Sequence, residues 1–184
     1  MAGVLLCPEL NEMKENQPFL YCGKLPNFDF LLNEVLSLNE YQWVLFKERK
    51  SGVAAEKTDT IPLVYDKKIK LGSRITHELY KNFENHVHSA VKLCNVGTTV
   101  EQAMLARLGN GVEIKRHKDK GVITAATHRI HVPIITNDKC IFTVDTESKF
   151  LPAGEVWIID NVGRYHSVYN MGEQSRIHLI IDVH

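Results

Sequence analysis

The chain has 184 residues, of which 44% are hydrophobic and 24% are charged, and its 22 basic and 22 acidic side chains balance. This length suits one domain with a substantial core, and the zero net charge gives no electrostatic reason to expect nucleic acid or an anionic membrane as a partner. We expect neither a secretory signal nor a membrane span, since no apolar run approaches the roughly 20 residues that cross a bilayer.

The four cysteines are scattered along the chain, and none of them forms a CxxC pair. This pattern favours free thiols over a disulfide framework or a zinc site. We therefore expect the protein to reside in the reducing cytoplasm.

The first part of the chain mixes helical and irregular segments. Residues 27–38 are predicted to form a helix, because apolar residues recur at helical spacing after a candidate N-cap, Asn27. An exposed loop is expected over residues 49–60, and a short strand over residues 61–66.

The strongest helical pattern covers residues 73–95. Its apolar positions lie close to one stripe, and Ser73 or Thr76 could serve as the N-cap. We expect this helix to support the rest of the fold.

From about residue 98 the sequence consists of short runs rich in Val, Ile and aromatic residues, separated by turn signals. Such spacing without intervening helices is typical of an all-β barrel or jelly roll. We predict one domain over residues 1–184, in which residues 1–97 form a helical or mixed support and residues 98–184 form the β core. The runs are VEQAMLARLG, VEIKRH, RIHVPIIT, CIFTVDT, EVWIIDN, HSVYN and RIHLIIDV.

The stretch IKRHKDKG places His117 and Asp119 two residues apart. In a strand, residues two apart share a face, so both side chains could bind one metal ion. A histidine from another strand would complete a 2-His-1-carboxylate triad, which binds one side of Fe(II) and leaves positions for other ligands. Taken alone, the stretch is better explained as a solvated, charged turn.

Two later residues bear on this choice. His166 opens a short strand directly after a turn, which makes it the candidate third ligand. Arg176 begins the last strand ten residues later. Both faces of that strand are apolar enough to be buried, so Arg176 should point into a cavity and need an anionic partner such as a carboxylate.

These residues resemble the Fe(II)/2-oxoglutarate-dependent dioxygenases, and more narrowly the aspartyl/asparaginyl β-hydroxylase family, which also includes free-proline hydroxylases. The resemblance covers about residues 105–183. It rests on GVEIKRHKD, on HSV followed by an arginine ten residues on, and on the blocks HRIHVPIITNDKCIFTV, LPAGEVWIIDN and HSVYNMGEQSRIHLIIDV.

The resemblance implies a mainly β fold with N-terminal helices and a double-stranded β-helix (jelly-roll, cupin-like) core. It further implies that His117, Asp119 and His166 ligate Fe(II), and that Arg176 pairs with the distal carboxylate of 2-oxoglutarate. With O₂ as the oxidant, such an enzyme hydroxylates a C–H bond and releases succinate and CO₂.

Arg129 and His131 match a second Arg-x-His pair that lines the co-substrate and substrate region in this family. Asn161 and Tyr165 are weaker candidates for orienting His166. The position of Asp119 is occupied by a non-ligating residue in the animal members of the family, so their substrate does not transfer directly to this chain.

The expected activity is hydroxylation of an amino-acid residue or a free amino acid of Asp, Asn or Pro type. The alternative is a non-catalytic, cupin-like protein that binds a metal or a small ligand on the same fold. Cupins usually add a further nearby histidine and a glutamate as ligands, and HKDKGVIT lacks that pattern.

Overall fold

The computed structural model describes residues 17–44, 53–66, 74–119, 125–160 and 163–184. Among the helices within these ranges, none combines the length and the apolar character that crossing a membrane requires. The secondary-structure elements of the described residues are, in chain order, β1 (Phe19–Lys24), α1 (Phe28–Leu36), α2 (Glu40–Val44), α3 (Val53–Lys57), β2 (Thr58–Asp66), β3 (Arg74–Thr76), α4 (Tyr80–Cys94), β4 (Val100–Leu108), β5 (Glu113–His117), β6 (His128–Ile135), β7 (Cys140–Val144), β8 (Glu147–Phe150), β9 (Glu155–Ile159), β10 (His166–Asn170) and β11 (Arg176–Val183).

The strands form two antiparallel sheets. The larger sheet has seven strands in the order β1-β9-β6-β11-β4-β2-β3, and the smaller has four in the order β5-β10-β7-β8. Neighbours in these orders are mostly distant in sequence, as in a jelly roll. The predicted mainly β fold with N-terminal helices is therefore confirmed.

One face of the seven-stranded sheet is covered by helices. Leu31 and Val35 of α1 and Phe83 and Val87 of α4 belong to the same buried cluster as the apolar residues of β2, β4, β6, β9 and β11. These strands alternate, so their other side chains point away from the helices.

The opposite face packs against the four-stranded sheet. Phe19 of β1 and Trp157 of β9 share a second buried cluster with Phe142 of β7 and Val168 of β10. The rings of Phe19 and Phe142 meet edge to face with their centroids 6.0 Å apart. The candidate site lies between the two sheets, beside this cluster.

The prediction of one helix over residues 73–95 is wrong at its N-terminal end. Residues Arg74–Thr76 form β3, which pairs with the end of β2, and the helix begins at Tyr80. Thr76 pairs with Val64 as a strand residue and does not cap the helix. In the turn that follows, the backbone N–H of Leu79 donates to Nδ1 of His77.

Other predicted elements differ in smaller ways. The expected loop over residues 49–60 contains α3 and the start of β2, and its residues 49–52 lie outside the described ranges. Asn27 is at the N-cap of α1 as predicted, but its side chain makes no capping hydrogen bond. Strands β1 and β8 were not predicted.

The segment before residue 98 contributes β1, β2 and β3 to the large sheet as well as the helices, and the boundary at residue 97 stays a prediction. Cys22, Cys94 and Cys140 are buried free thiols, while Cys7 lies outside the described residues.

Candidate metal centre

The candidate metal ligands lie where two neighbouring strands of the four-stranded sheet meet. His117 is the last residue of β5 and His166 is the first of β10, and the two are register partners in the antiparallel pair. Asp119 follows His117 by two residues, so the alternation of the extended chain returns it to the same side. The sheet register thus brings together residues that are far apart in the sequence.

The ligand atoms of these three side chains converge. One ligand atom from each lies within 4.8 Å of the others. Oδ1 of Asp119 is 3.4 Å from Nε2 of His117 and 3.6 Å from Nε2 of His166. This arrangement is compatible with a single metal ion bound on one side by two imidazoles and a carboxylate, as in non-haem Fe(II) oxygenases.

The tautomers of both histidines suit metal binding. Nδ1 of His117 is 2.8 Å from the carbonyl oxygen of Lys115, and Nδ1 of His166 is 3.2 Å from that of Arg164. A carbonyl oxygen only accepts, so each Nδ1 carries a proton, and Nε2 is the nitrogen left to bind a metal ion. Among the described residues, the buried Nε2 of His117 has no hydrogen-bond partner, and a bound cation would supply one.

Asp119 is held in its charged form. Burial alone would raise its pKa, but a hydrogen bond with His166 and the positive charge of Arg129 lower the pKa of Asp119 well below its usual range. The residues present therefore offer the donor set that Fe(II) takes: two imidazole nitrogens and an ionised carboxylate.

Arg129, which the sequence placed in the co-substrate region, contacts two carboxylates. Its Nη1 donates to Oδ2 of Asp119. Its Nε and Nη2 donate to the two carboxylate oxygens of Asp182 at 2.7 and 2.9 Å. Burial on its own lowers the pKa of Arg129, but the two carboxylates more than offset this and raise it.

Arg176 is buried beside a small cavity. The residues that line this cavity are Thr136, Cys140, Phe142, Leu151, Val168, Arg176 and His178, and none of them is acidic. Nε of Arg176 has no hydrogen-bond partner within the described part of the chain. Burial lowers the pKa of Arg176 to about 10, so the guanidinium stays charged at neutral pH and lacks a carboxylate partner among these lining residues.

His178 connects Arg176 to His131. Nη2 of Arg176 donates to Nδ1 of His178 at 2.7 Å, so that nitrogen is an acceptor. Nδ1 of His131 lies 3.3 Å from the same atom and can donate to it when Nδ1 carries the ring proton. Burial and the charge of Arg176 hold the pKa of both imidazoles well below the usual range. In that tautomer Nε2 of His131 presents a lone pair, and this buried atom has no hydrogen-bond partner among the described residues.

Phe142 joins the metal end of the site to the Arg176 cavity. Its ring stacks on His166 with the centroids 6.2 Å apart, meets His131 edge to face at 5.5 Å, and also lines the cavity. The structure thus places all six predicted site residues around one region between the sheets.

The weaker candidates are less informative. Tyr165 is 47% exposed, and its ring contacts the cationic groups of Arg116 and Lys118. Asn161 and Lys120 lie outside the described residues. The proposed orientation of His166 by Tyr165 or Asn161 stays a prediction.

Sequence reasoning did not select Asp182 and His178 as site residues. His178 lies two residues and Asp182 six residues after Arg176, on the same face of β11. That face therefore has three polar groups in an otherwise apolar strand. A buried charge in such a strand needs a partner, and this was the available signal.

Known proteins resemble this chain in sequence and in fold. A family model described as aspartyl/asparaginyl β-hydroxylase matches residues 28–184. The structure of an oxidoreductase of the 2OG-Fe(II) oxygenase family from Burkholderia pseudomallei is similar over 91% of this chain and 84% of that chain, with a TM-score of 0.56 and 12% identity. At this identity the similarity establishes the fold, and the predicted double-stranded β-helix is confirmed.

Two smaller proteins match less of the chain. A cupin 2 conserved barrel domain protein from Salinispora arenicola CNS-205 has a TM-score of 0.35 and 14% identity over 45% of this chain and 62% of that chain. A predicted oxalate decarboxylase from Thermotoga maritima has a TM-score of 0.35 and 20% identity over 46% of this chain and 66% of that chain.

Proposed function

This chain belongs to the aspartyl/asparaginyl β-hydroxylase family of oxidoreductases, and we propose that it uses Fe(II), 2-oxoglutarate and O₂ to hydroxylate an amino acid, either free or within a peptide. Succinate and CO₂ would be the co-products. Aspartate, asparagine and proline are the substrate types that the family resemblance favours. The presence of Asp119 leaves the choice among them to experiment.

The observation that carries this proposal is the convergence of His117, Asp119 and His166. Both histidines direct Nε2 to the side on which the Asp119 carboxylate lies. These residues would hold the iron, which when bound supplies the one-electron and O₂ chemistry that protein side chains lack. Around it, the protein would orient the reactants and exclude water.

Arg176 is the proposed anchor for the far carboxylate of 2-oxoglutarate. A buried guanidinium without an acidic partner costs free energy, whereas a carboxylate that enters the cavity would restore a charge-assisted hydrogen bond. His178 accepts from the same guanidinium and so limits the directions in which its remaining donors point. The cavity thus favours a dicarboxylate co-substrate over a neutral one.

His131 is proposed to line the co-substrate and substrate region, as the sequence predicted. Its free Nε2 lone pair can accept a hydrogen bond from a donor group of a bound molecule. The co-substrate role of Arg129 stays a prediction, and its contacts with Asp182 and Asp119 suggest a different task, which is developed below. The cytoplasm is the proposed location, since three cysteines are buried free thiols.

The test is anaerobic titration of the purified protein with Fe(II) and then 2-oxoglutarate. Chelation of Fe(II) by an α-keto acid gives a visible charge-transfer absorption, which we expect for the native protein and not for Asp119→Ala or His166→Ala. Arg176→Ala should bind iron and need more 2-oxoglutarate to develop the absorption.

A screen of free amino acids and short peptides, coupled to succinate detection, would then identify the substrate. Metal binding without this absorption and without succinate release would instead support the alternative, a cupin-like binding protein.

A further inference from the structure

Arg129 joins a metal-ligand residue to a second, deeply buried carboxylate. Its three donor nitrogens are divided between two partners: Nε and Nη2 face Asp182, and Nη1 faces Asp119. We call Asp182, Arg129 and Asp119 the carboxylate–arginine chain. It leads from the interior of the large sheet to the candidate metal centre.

Arg129 makes a fork contact with Asp182, in which two parallel hydrogen bonds join the guanidinium to both carboxylate oxygens. This contact fixes the plane of the guanidinium. Asp182 and Arg129 are direct register partners on the neighbouring strands β11 and β6, so the backbone pairing sets their separation. Two parallel N–H···O bonds allow little rotation of the arginine head group. The direction of the remaining donor, Nη1, is thereby fixed as well.

That donor engages one oxygen of Asp119, and the other oxygen faces the two candidate histidine ligands. Arg129 contacts Oδ2, whereas Oδ1 is the oxygen 3.4 and 3.6 Å from Nε2 of His117 and His166. A carboxylate held in this way offers a single oxygen to a metal ion. The two oxygens of Asp119 therefore have different tasks.

The carboxylate–arginine chain is buried, so stabilisation of the fold alone is a poor explanation for it. Asp182 is 0% exposed, and Arg129 is largely shielded as well. A buried ion pair gains little net stability over apolar residues of similar size, because both charges lose their hydration. The orientation of a metal ligand is a benefit that apolar residues would not supply.

From this geometry we infer that Arg129 is a positioning residue, anchored by Asp182, that presents Asp119 to the metal as a one-oxygen ligand. The inference rests on the proposed metal site. It also explains why the two inward-facing arginines differ: Arg129 binds protein carboxylates, whereas Arg176 is available to bind the co-substrate.

The chain offers a matched control in Arg107. This arginine also bridges two carboxylates, with donors to Asp59 at 2.9 and 3.2 Å and to Glu40 at 2.6 and 2.9 Å. Its partners lie on β2 and α2, and none of the three candidate metal ligands is among them. Arg107→Lys therefore reports the general cost of weakening such a bridge.

The experiment measures binding of Co(II) alone to the purified full-length chain, followed by its visible absorption. Arg129→Lys keeps the charge but cannot make the fork contact, and Asp182→Asn weakens the anchor. Each should lower Co(II) affinity by about 10- to 100-fold, the usual effect of losing a partner of a metal ligand. At saturating Co(II), the affinity of both variants for 2-oxoglutarate should stay within about two-fold of the native value. Arg107→Lys should leave Co(II) binding unchanged.

Co(II) affinity that is unchanged in Arg129→Lys and Asp182→Asn would overturn the inference, as would a loss of 2-oxoglutarate binding alone in Arg129→Lys. Infrared difference spectra of the native protein with and without Co(II) give an independent readout that needs no variant. The carboxylate bands should have the wide splitting of one-oxygen ligation, and the narrow splitting of two-oxygen ligation would contradict the inference. If the native protein bound no Co(II), the proposed function itself would fail.

Discussion

On strand β11, side chains that point toward the helices are Ile177, Leu179 and Ile181, whereas Arg176 and Asp182 point toward the four-stranded sheet. All five residues are buried, so the difference between the two faces is one of chemistry and not of exposure. The helix-covered face contains apolar contacts of the kind that stabilise a fold. The inner face contains charges whose burial costs free energy unless each finds a partner.

The inner face has two parts, which differ in how their buried charges are paired. At the metal end, Arg129 has carboxylate partners supplied by the protein. At the cavity end, Arg176 contacts the neutral His178, and the described residues that line the cavity include no acidic side chain. The first arrangement is complete in the protein alone, and the second suits an anionic ligand.

Removal of the paired arginine should have the largest effect on stability. Arg129→Met leaves Asp182 buried without its partner, so we expect the free energy of unfolding to fall by about 3–5 kcal/mol. Chemical denaturation of the metal-free protein measures this change. The double variant Arg129→Met with Asp182→Leu should recover most of the loss, and no recovery would show that the pair is not the cause.

Truncation on the helix-covered face should cost slightly less and spare the site. Leu179 is 0% exposed, and Leu179→Ala should lower the free energy of unfolding by about 2–5 kcal/mol through lost apolar burial and the cavity left behind. Leu179→Met, which keeps the volume, is the control and should cost less than about 1.5 kcal/mol. Co(II) affinity of the folded variant should be unchanged, and a large drop would contradict the separation of the two faces.

The unpaired arginine should behave in the opposite way to Arg129. Arg176→Met removes a buried charge that has no carboxylate among the described residues lining its cavity, so stability should be unchanged or higher. The affinity of the metal-loaded protein for 2-oxoglutarate should fall by roughly 2–4 kcal/mol, about 30- to 1000-fold. Chemical denaturation measures the stability, and titration followed by the charge-transfer absorption measures the affinity for 2-oxoglutarate. Destabilisation comparable with that of Arg129→Met would contradict the proposed difference between the two arginines.

The strands and candidate ligands were predictable because their signals are local. Alternation puts His117 and Asp119 on one side, and the turns that precede β10 and β11 isolate His166 and Arg176 at the starts of short strands. Each of these features depends on residues within a few positions of one another.

The features that escaped prediction depend on partners far along the chain. Ile75 fits the spacing of the following helix, but Arg74–Thr76 pairs with β2, and this tertiary pairing overrides the local helical pattern. The role of Asp182 depends on Arg129, its cross-strand partner in the structure. A single sequence does not show which of its acidic residues will lie opposite a given arginine.

The buried histidines should make stability depend on pH. Burial holds the pKa of His131 and His178 well below about 6.5, the ordinary value to which each returns on unfolding. As the pH falls below about 6.5 the unfolded chain takes up protons that the folded chain does not. Stability is therefore greatest above that pH and declines below it, by up to about 1.4 kcal/mol per pH unit for each histidine.

Denaturation of the metal-free protein at several pH values between about 7.5 and 5 measures this decline. His178→Asn keeps an acceptor for Arg176 but removes one titrating ring, so its decline should be shallower by up to about 1.4 kcal/mol per pH unit. An identical pH dependence in this variant and the native protein would mean that His178 is not held neutral.

The smallest effect is expected on the outer side of the metal strand. Lys118 lies between two candidate ligands in sequence, but it is exposed, and its ammonium group rests 4.6 Å from the centre of the Tyr165 ring. Lys118→Ala should lower stability by less than about 1 kcal/mol, the worth of an exposed cation–π contact. Co(II) affinity should stay within about two-fold of the native value, because alternation turns this side chain away from the ligands. A larger loss of metal affinity would show that the positive charge of Lys118 on the outer side of the strand affects the metal site.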